Sequence, residues 1–127
     1  MQNYLIILGA LLLIDLPWIG LVASSFYKKH LGYIMGSQFA ATPAVIFYAL
    51  YAYGVLYFAV QPALAAGSWS VAAGRGALLG LIAYGTYDLT NHATIARWPA
   101  VVTVVDMGWG LVVTALVSTI AYLIASR

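Results

Sequence analysis

Tyr84-Gly-Thr-Tyr-Asp-Leu-Thr-Asn-His-Ala-Thr-Ile-Ala-Arg-Trp98 follows directly on the apolar run Ala77-Leu-Leu-Gly-Leu-Ile-Ala83. Together they read as one helix whose second half carries Asp88, Asn91 and His92 among Thr86, Thr90 and Thr94. If the helix crosses a bilayer, a carboxylate in its middle costs about 2.5–3.5 kcal/mol on insertion scales, so such a residue marks a functional site by default. Asp88, Asn91 and His92 stand at i, i+3 and i+4, which turns all three to one helix face.

The rest of the sequence places that helix in a membrane. Of 127 residues, 65% are hydrophobic and 6% charged, with a mean hydropathy of +0.98. Soluble domains carry about 25% charged residues. The length suits a single domain, 1–127. With no cysteine there is neither a disulfide framework nor a thiolate metal site. The five basic residues lie mainly near segment ends and form no nucleic-acid patch. The N-terminal apolar stretch lacks a basic leader and is too long for a signal peptide, so it reads as a retained helix.

Four apolar stretches, at about 3–27, 42–66, 70–96 and 99–125, each approach the ~20 residues a helix needs to cross the hydrocarbon. The fold class expected is therefore all-α, an integral membrane bundle of four transmembrane helices. Pro17 should bend the first helix just after Asp15. Phe26-Tyr-Lys-Lys-His-Leu-Gly32 and the residues that follow mix aromatic, basic and apolar side chains, which suits a short interfacial segment with Lys28 and Lys29 on anionic lipid. Gly76 and Gly80 make a GxxxG pattern that favours close helix packing. Lys28, Lys29 and Arg97 share one membrane face and Arg75 and Arg127 the other, so the positive-inside rule turns the Lys28 face to the cytoplasm by a margin of one residue.

All three acids fall inside expected spans. Measured from the Lys28–Arg97 face, Asp15, Asp88 and Asp106 lie at depths of roughly 10–17 Å at 1.5 Å per residue, in one slab. Three carboxylates together in low dielectric do not all stay ionised. A protonated carboxyl beside an ionised one serves general acid–base chemistry and proton-coupled transport equally. His92 with Asp88, Asp15 and Asp106 also offers nitrogen and oxygen donors to a divalent ion, although no recognised metal spacing is present and no metal site is assigned. A buried polar network that only fixes helix register is the non-functional alternative. The serines lack a GxSxG context, so no nucleophilic triad is expected.

The run Tyr84 to Thr94, the following Trp98-Pro99, the box Val105-Asp-Met-Gly-Trp-Gly110, the box Asp15-Leu-Pro-Trp18, Phe26 to Gly32 and Tyr57-Phe-Ala-Val-Gln-Pro62 resemble the DUF2177 family of small bacterial integral membrane proteins. The resemblance covers essentially the whole chain. It implies a multi-pass protein of the bacterial inner (cytoplasmic) membrane. Through the fatty-acid-modifying enzymes whose genes accompany some such proteins, it also implies an accessory role in lipid modification. It brings no catalytic residues to carry over.

The sequence therefore nominates Asp88, His92, Asp106 and Asp15 as candidate catalytic groups. Asn91, Trp18, Trp109, Tyr84 and Tyr51 are candidate ligand-binding groups, a tyrosine of the second span being a natural donor to a buried carboxylate. The expected function is binding or modification of a lipid-like ligand, which leaves open whether the protein is itself an enzyme. The alternatives are a small oligomeric proton-coupled transporter and a non-catalytic scaffold. The expected partners are membrane lipids, a lipid-modifying enzyme and further copies of the chain. No cofactor is specified.

Overall fold

A computed structural model of the chain describes residues 1–36 and 40–127, and among these every regular element is helical. Four long helices follow one another: α1 over Gln2–Leu31, α2 over Ala41–Ala66, α3 over Trp69–Thr94 and α4 over Ala100–Ala125. Three of them, α1, α2 and α4, are long and apolar enough to cross a membrane. Helix α3 has the length, 26 residues or roughly 39 Å at 1.5 Å per residue, but Arg75 and its polar second half make it less apolar.

Proline shapes the first two helices without ending them. Pro17 has no N–H to give the Leu13 carbonyl, and the helix passes into a π-helical stretch over Trp18–Ala23 before resuming as α-helix. At the place where a bend was expected, the helix widens locally. Helix α1 then runs on to Leu31, so Phe26 to Leu31 is its continuous last part and not a separate segment. No glycine or proline interrupts 21–31, and Lys28, Lys29 and His30 occupy a last turn where cations complement the carbonyl end. Ser37, Gln38 and Phe39 of that expected segment lie outside the described residues. In α2, π-helical pairing over Leu56–Val60 precedes Pro62. Pro62 has no N–H for the Phe58 carbonyl, and Arg75 Nη1 donates to that oxygen at 3.3 Å instead.

The tightest packing is between α3 and α4, and glycine makes it possible. A Cβ on Gly76 would stand 2.5 Å from Ser118 Oγ and 2.7 Å from the Thr114 carbonyl, and one on Gly80 would fall on the Gly110 carbonyl. The GxxxG pattern is therefore used inside the chain, where it lets two backbones touch. Helix α1 packs on α4 and α2, and α2 on α3. Ile7, Leu11, Tyr51, Ala52, Val55, Val60, Val113, Val117 and Ala121 close the core toward the Arg75 end.

At the opposite end, Leu31, Trp98 and Val102 form a smaller cluster. There Tyr33 Oη donates to the Arg97 carbonyl at 2.9 Å while the Arg97 guanidinium sits 4.7 Å from the Tyr33 ring centre. Arg97 holds φ at 60°, a left-handed conformation that reverses the chain between α3 and α4. Outward-facing apolar side chains cover the lateral surface. Leu13, Leu21 and Val104 are 79%, 82% and 71% exposed, which a soluble protein would avoid and a hydrocarbon surround would welcome.

Candidate functional site

Two of the three acids share a cavity. Asp15 of α1 and Asp106 of α4 line the same cavity of about 170 Å³, together with Trp18, Tyr27, Tyr48, Tyr84 and Trp109. Each acid lies three residues before a tryptophan on its own helix, so acid and ring share a face. The two tryptophans meet across the helix interface, with ring centres 4.2 Å apart and planes 7° from parallel. That stack is the centre of the site.

Neutral donors hold the carboxyls. Asp15 accepts from Trp109 Nε1 at 2.8 Å and from the Tyr48 hydroxyl, and it is only 4% exposed. Asp106 accepts from the Tyr27 hydroxyl. Asp88 has no solvent exposure, and among the described residues no donor reaches either of its oxygens. The polar group facing it is the Asp106 carboxyl. Ionised carboxyls only accept, so neither can serve the other as a donor.

A second opening adjoins the first. It encloses about 340 Å³ between Phe47, Ala83, Tyr84, Tyr87 and Asp106, and shares Tyr84 and Asp106 with the acid cavity. Apart from the Asp106 carboxyl and two hydroxyls, its walls are hydrocarbon and aromatic faces. Tyr84 separates the two spaces, its ring pressed on the backbone of Gly110, where a Cβ would have no room.

The candidates from sequence do not all belong here. Asp15, Asp106, Trp18, Trp109 and Tyr84 line the cavity and Asp88 backs it. His92 is exposed and pairs through Nδ1 with Thr103 Oγ1 at 3.1 Å, while Trp98 Nε1 donates to the same hydroxyl at 3.0 Å. Both Asp88 and His92 do face α4, but one helical turn separates them, so the histidine meets Thr103 near the helix end while the aspartate meets Asp106. Asn91 lines neither opening. Tyr51 is a core residue, buried with its hydroxyl 2.7 Å from Thr114 Oγ1. Among the described residues no three His, Asp or Glu side chains are grouped as metal ligands, so His92 does not complete a donor set with the acids. His92→Ala is expected to cost no more than about 1 kcal/mol, the value of one such hydrogen bond, in a detergent unfolding titration.

Two functional candidates escaped the sequence reading. Tyr48 lay in an aromatic stripe with nothing to set it apart from Tyr51, and Tyr27 lay in what read as the interfacial segment.

A family model described as a predicted membrane protein, DUF2177, matches residues 1–123. The chain belongs to the DUF2177 family. No curated protein and no solved structure matches it. Family membership agrees with the three apolar helices in making this a membrane protein. Two of the boxes that carry the resemblance to DUF2177 form the cavity walls, Asp15 to Trp18 on one side and Asp106 to Trp109 on the other.

Proposed function

We propose that the chain is a four-helix transmembrane bundle of the bacterial cytoplasmic membrane whose acidic cavity takes a lipid-like ligand and holds it for proton-transfer chemistry. That chemistry belongs to the chain itself or to a lipid-modifying partner enzyme to which the ligand is presented. The observation that carries the reading is the join at Tyr84 and Asp106, where an apolar cleft meets a cavity lined by two carboxyls. A hydrocarbon-lined approach with a few convergent polar groups is the usual form of a site for an apolar ligand.

The geometry gives less support to transport. Toward the Arg75 end, the core is filled by Ile7, Leu11, Val55, Val113 and Val117, and the Tyr51 and Thr114 hydroxyls there are satisfied by each other. A route for protons or water through that half needs a polar lining that these side chains do not supply.

The test compares whole-cell lipid and fatty-acid mass spectra of the wild type, a gene deletion, and the deletion complemented with Asp88→Asn. A lipid species is expected to change on deletion and to stay changed with Asp88→Asn, because the amide cannot take part in proton transfer. Identical spectra in all three strains across several growth conditions would remove the lipid reading.

A further inference from the structure

The cavity contains carboxyls and aromatic rings but no basic group. The Lys and Arg residues, at 28, 29, 75, 97 and 127, all lie toward helix ends. Arg97 rests on the Tyr33 ring and Arg75 on the Phe58 carbonyl, and His92 is taken up by Thr103. The donors that reach Asp15 and Asp106, from Tyr27, Tyr48 and Trp109, are all neutral. Behind Asp106 stands a third carboxyl, Asp88, fully buried and, among the described residues, without a donor on either oxygen. Intramembrane acids are almost always paired, with one another or with a cation. Among the described residues no cationic side chain reaches any of the three acids.

The rest of the wall suits a cation as well. Five aromatic rings surround about 170 Å³. Aromatic faces attract ammonium groups, above all quaternary ones that cannot hydrogen-bond. An anionic head would meet carboxyls here, and a neutral one would gain hydrogen bonds from them but none of the attraction that carboxylates and aromatic faces offer a cation.

We propose that this cavity binds a monovalent organic cation, an ammonium head carried on a hydrocarbon tail. The proposal rests on the lipid-like reading above and names its ligand class. The head lies between the carboxyls and the tryptophan pair, and the tail leaves past Tyr84 into the apolar cleft. That cleft continues into a groove of about 280 Å³ between α2 and α3, with which it shares Phe47 and Ala83. A chain emerging from the cage thus has an apolar path along two helices.

The test titrates the full-length protein in maltoside micelles with four probes, dodecyltrimethylammonium, tetramethylammonium, dodecanol and dodecanoate. Calorimetry and tryptophan fluorescence report binding. Dodecyltrimethylammonium is expected to saturate, with dodecanol and dodecanoate at least 10-fold weaker. Trp18→Leu removes an aromatic face and leaves the hydrogen bonds to Asp15 intact, and should weaken the cation by roughly 3- to 30-fold. Asp15→Asn, with size-exclusion profile and helical circular dichroism as controls for folding, should weaken it at least 10-fold.

Tetramethylammonium binding as tightly as the long-chain cation would keep the cation site and overturn the lipid-like reading. Dodecanol or dodecanoate binding as tightly as the cation, and losing affinity in Trp18→Leu, would overturn the cation proposal and leave the lipid-like reading standing. Saturable binding by none of the four would overturn both.

Discussion

Asp15→Ala is expected to lower stability by about 2–3 kcal/mol, because two donors lose their acceptor at once. The Trp109 indole N–H and the Tyr48 hydroxyl both end on this one carboxylate. A donor stranded away from water costs about 1–3 kcal/mol, whereas an intact interhelical hydrogen bond in a membrane protein is worth only ~0.6 kcal/mol. The larger figure applies to Asp15 because the substitution leaves both donors in place. Asp15→Asn keeps one acceptor oxygen and should cost about 1 kcal/mol. Removing the donor with Tyr48→Phe should cost less than Asp15→Ala, for the same reason. Unfolding titrations in mixed dodecyl sulfate and maltoside measure all three. If Asp15→Ala matched the parent, other acceptors would have to serve the two donors, and the acid could not be what clamps α1 to α2 and α4.

The larger loss is expected from Gly80→Val, at about 3 kcal/mol or more, the upper end for forcing extra atoms into a packed interior. The new Cβ would fall on the Gly110 carbonyl and 2.7 Å from Thr114 Oγ1. A backbone carbonyl cannot swing aside, so α3 and α4 would have to separate. That would also pull Tyr84 off Gly110 and open the wall between cavity and cleft. Gly74→Ala provides the contrast. Its Cβ would meet nothing within 4 Å, and replacing a glycine inside a helix gains roughly 0.5–1 kcal/mol. Thermal melts of the two variants should move in opposite directions. Equal losses would mean that glycine at 80 is kept for something other than close approach.

Much of this molecule is legible in the sequence because some of its properties depend only on distance along the chain. Helix length follows from counting apolar residues, and depth in the slab follows from 1.5 Å per residue whichever way a side chain points. Asp15, Asp88 and Asp106 could therefore be set at one level before any packing was known. The Asp-x-x-Trp spacing likewise puts each acid and its ring on one face, and that relation survives folding because it is local.

Direction around the helix axis is less secure. In a regular α-helix the twelve residues from Asp15 to Tyr27 carry a side chain about 120° away from its starting face. The π-helical stretch over Trp18–Ala23 takes in one additional residue and returns about 100° of that rotation, which brings Tyr27 back over the acids. Pro17 signalled a disturbance, but its sequence could not say whether the helix would bend, end or widen. The choice between Tyr48 and Tyr51 was of the same kind. The two stand three residues apart on neighbouring faces, and the packing of α2 against α1 and α3 sends one hydroxyl to Asp15 and the other to Thr114. His92 failed for a different reason. It shares a face with Asp88 but lies about 6 Å further along the axis, enough to meet Thr103 and not the cavity.

Composition and spacing along single helices were enough to give a helical membrane protein, acids at corresponding levels of separate helices and a tryptophan beside two of them. The tertiary structure decided that the two tryptophans stack, that Tyr27 and Tyr48 hold the carboxyls, that Asp88 faces Asp106 and that His92 stands apart. Those relations join different helices, and they are fixed by how closely Gly76, Gly80 and Gly110 let α3 and α4 approach and by where the π-helical turns reset the faces of α1 and α2.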